Sequence, residues 1–313
     1  MPEWWIERGI GETRAVLVEA DEILETRIHL EASVAAGAVL KARLRKAGLP
    51  AFAEAEACEY LLPKGAPGVA EGAALAIEVT REAIPGAEPW KRPLARVADG
   101  PERAGDLPAG RKLAFPAPVD ELEAAGWSDL LEEARSGIVR FAGGELRVSP
   151  TPAMTLIDVN GHLPLAELAM AGAKASARAI RRHGIGGSIG IDLPTIAGKA
   201  QRQSIGEAID ALLPQPFERT AMNGFGFLQI VRPRRHASLF ELGQDRPAFE
   251  ARALLRRAGR ERGAIRLVAH PRIAALLESR GEWRSDLARQ VGGSIGLRAE
   301  PAAPMSGGYA EPA

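Results

Sequence analysis

The sequence predicts a mixed α/β protein with a small β-barrel inserted after an opening hairpin and a small α/β module at the end. Three observations support this fold class. A strand, a helix and a second strand follow one another between 155 and 192, which is typical of a parallel βαβ unit. Short strands separated by Gly and Pro fill 37–99, as in small barrels. The segment 237–313 contains a helix and then a strand–helix–helix–strand pattern.

Length and composition indicate a cytoplasmic globular protein. The chain has 313 residues, enough for roughly two domains, and 46% of them are hydrophobic and 26% charged. Cys58 is the single cysteine, which excludes an internal disulfide and a multi-cysteine zinc site and fits a reducing compartment. No run approaches the ~20 apolar residues of a membrane span, and the N-terminus lacks the apolar core of a signal peptide. We therefore expect no membrane partner.

The net charge of zero conceals an asymmetry between the two halves. Residues 151–313 carry 22 Lys and Arg against 15 Asp and Glu, a net charge of +7, so residues 1–150 carry 18 against 25, a net charge of −7. A basic half favours an anionic partner such as a nucleic acid. The alternative is a solvated surface of mixed charge.

The first half of the chain divides into five segments. Alternating apolar and polar residues around an acidic turn predict a β-hairpin over Arg14–Leu30. The barrel follows, and 100–118, rich in Pro, Gly and charge, reads as a linker. Apolar spacing and a terminal Gly predict a helix over 119–137, and a second hairpin follows over 137–150.

Each strand of the βαβ unit contains an aspartate near its carboxyl end. Asp158 lies in "TLIDVN" and Asp192 ends "GSIGID", 34 residues later, about the length of one βαβ unit. Since neighbouring parallel strands lie about 4.8 Å apart, the two carboxylates can converge on one cation, with Asn160 as a neutral oxygen ligand. Such hard oxygen donors suit Mg²⁺. The alternative is that the acids cap backbone amides or pair with nearby arginines.

Basic residues follow the strand that ends at Asp192 and also the next strand along the chain. Lys199 and Arg202 lie in the predicted helix after Asp192, and Arg232 and Arg235 leave the next strand, as we predict, toward the same region. Cations beside a metal site favour a phosphate substrate, whereas the alternative is an exposed basic loop without a ligand. We expect structural roles for the histidines at 162, 183 and 270, because none has a nucleophile beside it. The last residues, 305–313, are predicted to be frayed.

Several stretches, in order along most of the chain, resemble the bacterial ribonuclease E/G family. They are "GETRAVLVEADEILETRI", "GGELRVSPTPAMTLIDVNG", "GIGGSIGIDL", "FGFLQIVRPRRHASL" and "RIAALLESRG". The resemblance implies a ribonuclease H-like and DNase I-like catalytic core with an inserted OB-fold and a small C-terminal α/β domain. The implied division is 1–36 and 100–150 for the ribonuclease H-like part, with the linker, 37–99 for the OB-fold, 151–236 for the metal-binding part and 237–313 for the small domain.

The resemblance also implies roles for particular residues. Asp158 and Asp192 become the Mg²⁺-binding catalytic carboxylates, and Asn160 becomes the residue that orients them. In the barrel, the family's two aromatic residues and a lysine that bind single-stranded RNA correspond most nearly to Phe52 and Tyr60, together with Lys91. Aromatic stacking combined with a cation suits sequence-tolerant RNA binding. The alternative is that Phe52 and Tyr60 belong to the core of the barrel.

Three departures from the family's pattern limit which of the family's properties the resemblance implies for this chain. The paired-cysteine zinc link is absent, which argues against a zinc-linked tetramer and leaves a homodimer open. The region between the barrel and the catalytic strands is short, with little room for the family's 5′-monophosphate sensor. Gly161 and His162 replace the usual small polar continuation after Asn160.

The resulting hypothesis is a cytoplasmic, Mg²⁺-dependent endoribonuclease that acts in RNA processing or decay. Hydrolysis of single-stranded RNA by in-line displacement would leave 5′-phosphate and 3′-hydroxyl ends, and Lys199, Arg202, Arg232 and Arg235 would contact phosphates. The alternative, of a different class, is an RNA-binding protein that kept the scaffold and cleaves weakly or not at all.

Overall fold

A computed structural model describes residues 1–31, 33–85 and 91–313. These residues form three open sheets, one closed barrel and eight α-helices. The prediction of a mixed α/β protein with a small barrel is therefore confirmed. In this described part, no helix is both long and apolar enough to cross a membrane.

The chain opens with three antiparallel strands, β1 (Glu3–Arg8), β2 (Glu12–Glu19) and β3 (Glu22–Leu30). The hairpin predicted over Arg14–Leu30 is confirmed as β2 and β3. Its turn places Ala20 and Asp21 at positive φ angles of 50° and 62°, a conformation that suits the right-handed twist of a two-residue hairpin.

The barrel closes in the order β4-β5-β6-β8-β7. Its strands are β4 (Val39–Lys46), β5 (Ala51–Ala55), β6 (Cys58–Leu62), β7 (Ala74–Arg81) and β8 (Leu94–Val97). Alternate side chains point inward, so Leu44, Leu62, Ile77 and Val79 are completely buried. This burial supplies the barrel with a hydrophobic core of its own.

The segment 100–118 is more than the predicted linker. It contains β9 (Arg111–Leu113), which pairs in parallel with β1 and completes the order β3-β2-β1-β9. Three residues are too short for the alternation that reveals a strand. The helix predicted over 119–137 divides at Gly126, whose φ of 96° separates α1 (Glu121–Ala124) from α2 (Trp127–Ser136). The side chain of Trp127 is buried where α2 packs on the opening sheet.

The central sheet has six strands in the order β10-β11-β12-β13-β15-β14. Its elements are β10 (Ile138–Phe141), β11 (Gly144–Pro150), β12 (Thr155–Gly161), α3 (Leu165–Arg182), β13 (Gly187–Asp192), α4 (Lys199–Leu212), β14 (Glu218–Arg219) and β15 (Phe227–Arg232). Strands β12 and β13 are parallel and are joined through α3, so the predicted βαβ unit is confirmed. The other pairs in this sheet are antiparallel.

The two faces of the central sheet differ. One face supplies Ile157, Val159 and Ile191 to the largest hydrophobic core, where α3 and α4 cover it with Ala173, Ile205 and other apolar side chains. Along β12 the burial alternates strictly, so Leu156, Asp158 and Asn160 point to the other face and are exposed. We call this second surface the open face.

The C-terminal module begins with α5 (Leu239–Leu242) and α6 (Arg246–Ala258) and continues with the strand–helix–helix–strand order predicted from the sequence. Its remaining elements are β16 (Ile265–Ala269), α7 (Pro271–Ser279), α8 (Gly281–Val291), β17 (Ile295–Ala299), a 3₁₀ turn (Met305–Gly307) and β18 (Tyr309–Pro312). The prediction of a frayed end is wrong, because β18 pairs antiparallel with β16 over four residues.

Candidate metal-binding and nucleic-acid site

Asp158 and Asp192 lie directly opposite each other on the central sheet. They are register partners in the parallel pair β12 and β13, and both side chains are exposed. Paired residues on neighbouring strands point to the same face, with strands about 4.8 Å apart. The register thus brings the two aspartates together on the open face, with Asp192 at the carboxyl end of β13 and Asp158 in the middle of β12.

Asn160 lies two residues beyond Asp158 on the same face of β12. Its Nδ2 donates a hydrogen bond to Oδ2 of Asp158 at 2.7 Å, which leaves its own Oδ1 for another partner. Strand β12 continues to Gly161, where a Cβ would lie only 2.4 Å from the carbonyl oxygen of Gly143 in the adjacent hairpin. The glycine after Asn160 therefore has a packing reason, because it lets β12 approach that hairpin closely.

The alternative in which these acids pair with arginines does not hold among the described residues. Arg147 is the register partner of Asp158 on β11, but its guanidinium lies 2.9 Å from Oε1 of Glu145 instead. In the described part of the chain, Asp158 accepts its one side-chain bond from a neutral amide, and Asp192 has no Lys or Arg partner. Two negative charges thus face each other across neighbouring strands without a compensating cation.

The donor set fits a hard divalent cation. Two carboxylates and one amide oxygen are the oxygen ligands that Mg²⁺ accepts while it keeps several waters. Across residues 1–31, 33–85 and 91–313 there is no group of three or more His, Cys, Asp and Glu side chains that could hold a metal ion. A site at this position would therefore depend on Asp158 and Asp192, with Asn160 as the third protein oxygen.

Apolar side chains lie on the open face next to the carboxylates. Phe227 is the register partner of Asp192 on β15, and its ring extends over Gly190, where a Cβ would lie 2.5 Å from the ring's Cζ. The same Cβ would lie 3.1 Å from Cδ2 of Leu156, so the leucine borders the ring. Phe225, in the turn before β15, is 85% exposed. The sequence analysis did not identify these residues, although the glycine inside "GSIGID" was a signal of close approach.

The basic residues after Asp192 have different roles. Lys199 is the first residue of α4 and is exposed. Arg202 donates from Nη1 to the carbonyl oxygens of Ile196 and Ala197, each at 2.7 Å, so it stabilises the loop that follows Asp192. Its guanidinium is thus partly occupied by the protein's own backbone, and only Lys199 is fully available to a phosphate.

The predicted position of Arg232 and Arg235 beside the carboxylates is wrong. Strand β15 runs antiparallel to β13, so Phe227 pairs with Asp192 whereas Arg232 pairs with Gly187. Five residues of strand separate the two pairs, a distance of about 17 Å. The sequence placed both arginines after the strand correctly, but the direction of β15 carries them away from the carboxylates.

Arg232 and Arg235 instead line a cavity of about 970 Å³ between the opening sheet, the end of α3 and the segment before β9. Further charged or titratable side chains in its wall are Arg8, Glu25, Arg27, His29, Glu82, Asp106, Lys112, Arg181 and His236. Nη2 of Arg235 lies 2.6 Å from Oδ2 of Asp106, and burial lowers the pKa of Arg232. Because the lining comes from segments far apart in the chain, local sequence patterns did not reveal this cavity.

Glu82 is the most perturbed acid of this cavity. Burial raises its pKa to about 7, against the smaller opposing effects of a bond from the backbone N–H of Ala36 and of the charge on Arg235. Nδ1 of His29 lies 4.0 Å from Oε2 of Glu82, and burial lowers the pKa of that histidine. Glu82 therefore titrates near neutral pH in this cavity, away from the carboxylates on the open face.

The three residues predicted to bind RNA on the barrel differ in accessibility. Tyr60 is 1% exposed and belongs to the barrel core, so its predicted RNA contact is wrong, because the ring has no surface for a base to reach. Phe52 is half-buried, and the guanidinium of Arg92 lies 5.5 Å from its ring centroid. Nζ of Lys91 donates to the carbonyl oxygen of Pro152 at 3.1 Å, which ties the barrel to the loop before β12.

The histidines at 183 and 270 have structural roles, as predicted. His183 is completely buried, with Nε2 2.8 Å from Oε2 of Glu133, and its burial lowers its pKa. His270 caps α7, since its Nδ1 accepts from the backbone N–H of Arg272 at 3.2 Å. His162 is exposed, and it follows the strand that carries Asp158.

The sequence has no match among protein-family models, and no curated protein matches it.

Proposed function

We propose that this protein is a Mg²⁺-dependent endoribonuclease that cleaves single-stranded RNA to 5′-phosphate and 3′-hydroxyl ends. The observation that carries the proposal is the in-register pair Asp158 and Asp192, exposed on one face of the sheet without a basic partner among the described residues. Two uncompensated carboxylates at this spacing repel each other, and a divalent cation relieves that repulsion. The resemblance of the flanking stretches to the ribonuclease E/G family supports the same chemistry.

The protein's own residues hold and orient the reacting groups. Asp158 and Asp192 hold the cation, and the amide of Asn160 fixes the Asp158 carboxylate through the 2.7 Å bond. A bound divalent cation supplies activation of water and charge neutralisation at the scissile phosphate. A water oxygen then bonds to phosphorus, the bond from phosphorus to the 3′ oxygen breaks, and a proton passes to that oxygen. Lys199, exposed at the start of α4, contacts a flanking phosphate.

The remaining modules present the RNA to this face. In this proposal the central sheet belongs to a DNase I-like unit. The opening sheet with α1 and α2 is ribonuclease H-like, and the barrel is an OB-fold. Phe52 faces outward on the barrel and suits contact with a single strand, and Arg92 above its ring is paired with Glu59. We place the activity in cytoplasmic RNA processing or decay.

Cleavage of a fluorescent single-stranded RNA tests the proposal. We expect cleavage with Mg²⁺, none with EDTA, and a loss of at least about 100-fold in Asp158→Asn and Asp192→Asn. Asp21→Asn is a matched control, because Asp21 is also exposed and its positive φ of 62° suits asparagine. End mapping should give 5′-phosphates. Equal cleavage by Asp192→Asn and the unchanged protein would exclude this site.

A second candidate function is RNA binding without cleavage. One observation favours it: among the described residues no third His, Cys, Asp or Glu joins the two carboxylates in a metal-binding group. In that case the protein would bind the RNA with similar affinity in Mg²⁺ and in EDTA and leave it intact. Binding and cleavage measured on the same RNA therefore separate the two functions.

A further inference from the structure

A hydrogen-bonded turn displays an aromatic ring to solvent beside the carboxylates. Phe225 is 85% exposed, yet both of its backbone groups are bonded. Its N–H donates to Oδ1 of Asn223 at 2.9 Å, and its carbonyl oxygen accepts from Oγ1 of Thr195 at 3.1 Å. Oδ1 of Asn223 also accepts from the N–H of Phe227 at 3.0 Å. The ring is thus presented by an ordered turn, so little conformational entropy opposes its use in binding.

The same turn is joined to the strand that carries Asp192. The N–H of Leu193 donates to the carbonyl oxygen of Gly226 at 3.2 Å. Gly226 has a φ of +97°, and a Cβ on it would lie 2.1 Å from the carbonyl oxygen of Leu193. A glycine is therefore required where the turn meets the end of β13. This contact holds the backbone of the turn that carries Phe225 against the end of the strand that carries Asp192.

A second ring lies on the open face, on the strand next to Asp192. Phe227 lies over Gly190 and reaches Leu156, which is 39% exposed. Gly190 and Leu156 are register partners, two residues before Asp192 and Asp158 on their strands. We call Leu156, Phe225 and Phe227 the aromatic shelf. It adjoins the carboxylate pair on the open face.

The surroundings of the aromatic shelf fit a nucleobase better than they fit a protein partner. The centre of a protein interface is depleted of charge, whereas this shelf adjoins two unpaired carboxylates. Polar groups of Ser188 and Gln229, which share the open face with Gly190, lie beside the shelf and can bond to base edges. A base offers a flat apolar face of matching size, and the adjoining phosphate supplies the negative charge that a cation between the carboxylates would attract.

We propose that the aromatic shelf stacks on a base of the single-stranded nucleic acid and so positions the adjoining phosphodiester at Asp158 and Asp192. The inference rests on the proposed function for the reaction that follows, whereas the stacking itself needs no cleavage. Phe225 is the main contact because its ring is the most exposed. Phe227 and Leu156 form the floor.

A binding cycle that combines Phe225→Ala with the removal of one base from the RNA tests the stacking contact. The Asp158→Asn, Asp192→Asn double variant serves as the background, because it removes cleavage and the repulsion of RNA. Single-stranded RNA is prepared with 2-aminopurine, whose fluorescence falls on stacking, or with an abasic nucleotide at the same position. We expect Phe225→Ala to abolish the quenching and weaken binding of intact RNA about tenfold, with little loss for the abasic RNA. Phe225→Trp should restore both signals.

Tyr309→Ala is the matched control, because Tyr309 is an aromatic residue 48% exposed on the C-terminal module. It should leave quenching and affinity unchanged. Equal losses for intact and abasic RNA, or no loss at all, would overturn the stacking. A change in sedimentation of Phe225→Ala with unchanged RNA binding would also overturn it, since the shelf would then cover a second copy of the chain.

The proposed function fails separately from this inference. Coupling between Phe225 and the base without Mg²⁺-dependent cleavage by the unchanged protein would support the shelf and exclude the nuclease. Cleavage that is unaffected by Phe225→Ala, with no coupling in the cycle, would support the nuclease and exclude the shelf. Failure of the double variant to bind RNA at any position of the label would also exclude the shelf.

Discussion

Carboxylates occur in two contrasting settings in this protein. On the open face, Asp158 and Asp192 are exposed and lack basic partners among the described residues. Between the opening sheet and the C-terminal module, Glu7 and Glu12 are 2% and 5% exposed, and each is bonded to two arginines. The contrast shows that Glu7 and Glu12, which are buried, are compensated by arginines, whereas the exposed pair Asp158 and Asp192 is not.

The buried set, which we call the arginine network, joins distant parts of the chain. Arg14 on β2 donates to Glu7 at 2.6 Å and to Glu12 at 2.7 Å. From α6, Arg256 donates to Glu7 and Arg252 to Glu12, each from Nε at 2.9 Å. Such pairs contribute little net stability relative to apolar residues, but removing one arginine leaves a buried glutamate with only one of its two cationic partners. The network therefore specifies how α6 docks on the opening sheet.

The largest expected effect is on the open face. Asp192→Asn should lower Mg²⁺-dependent cleavage by at least about 100-fold, because a ligand of the cation is lost. The free energy of unfolding should change by less than about 0.5 kcal/mol, since the side chain is exposed and unpaired. Cleavage assays measure the loss of activity, and urea titrations measure the free energy of unfolding. A large loss of stability in Asp192→Asn would remove the contrast with the arginine network.

The arginine network should show the opposite behaviour. Arg256→Ala should lower the free energy of unfolding by about 1.5–3 kcal/mol, because Glu7 and Asp120 each lose a charged donor, although Glu7 keeps Arg14 and Asp120 keeps Arg260. Arg266→Ala is the control, since its pair with Glu311 is 44% exposed on the arginine side and should contribute at most about 1 kcal/mol. If Arg256→Ala remains folded and cleaves RNA at the normal rate, the arginine network has a structural role.

Glu82 lies between these two extremes, because it is buried without a full ion pair. A carboxyl with a raised pKa holds its proton more tightly in the folded chain than in the unfolded one. Its favourable contribution is therefore complete below pH 4.5, the ordinary pKa, and is lost as the pH rises through about 7. The loss amounts to about 3 kcal/mol, from a rise of about 2.5 pKa units at about 1.36 kcal/mol each.

Glu82→Gln should flatten the dependence of the free energy of unfolding on pH, because glutamine does not titrate. Urea titrations between pH 5 and 8 measure it for both proteins, with Glu102→Gln as an exposed control. His29 and Arg235 face the same cavity, so the midpoint belongs to the group of them and not to Glu82 alone. An unchanged slope in Glu82→Gln would show that Glu82 does not cause the pH dependence, and His29 could not cause it instead, because a lowered histidine pKa makes the free energy of unfolding rise with pH.

The sequence predicted those parts of the site that depend on local periodicity. The strand–helix–strand order and the length of one βαβ unit were enough to place Asp158 and Asp192 on neighbouring parallel strands. The positions of Arg232 and Arg235 were not predictable in this way, because they depend on the antiparallel direction of β15. Tyr60 was equally consistent with a core and a surface position, since in a barrel a shift of one residue reverses the face. The aromatic shelf needed the close approach at Gly190, which only the packing reveals.

The smallest expected effect concerns the neutral partner of Asp158. Asn160→Ala removes the 2.7 Å bond that orients the Asp158 carboxylate, so the Mg²⁺ concentration for half-maximal cleavage should rise about tenfold. Saturating Mg²⁺ should restore most of the rate, because both ligands remain, and stability should change by less than about 1 kcal/mol. A magnesium titration of the cleavage rate separates this from the loss in Asp192→Asn, which saturating Mg²⁺ should not repair. A rate that stays low at all Mg²⁺ concentrations would show instead that Asn160 contacts the substrate itself.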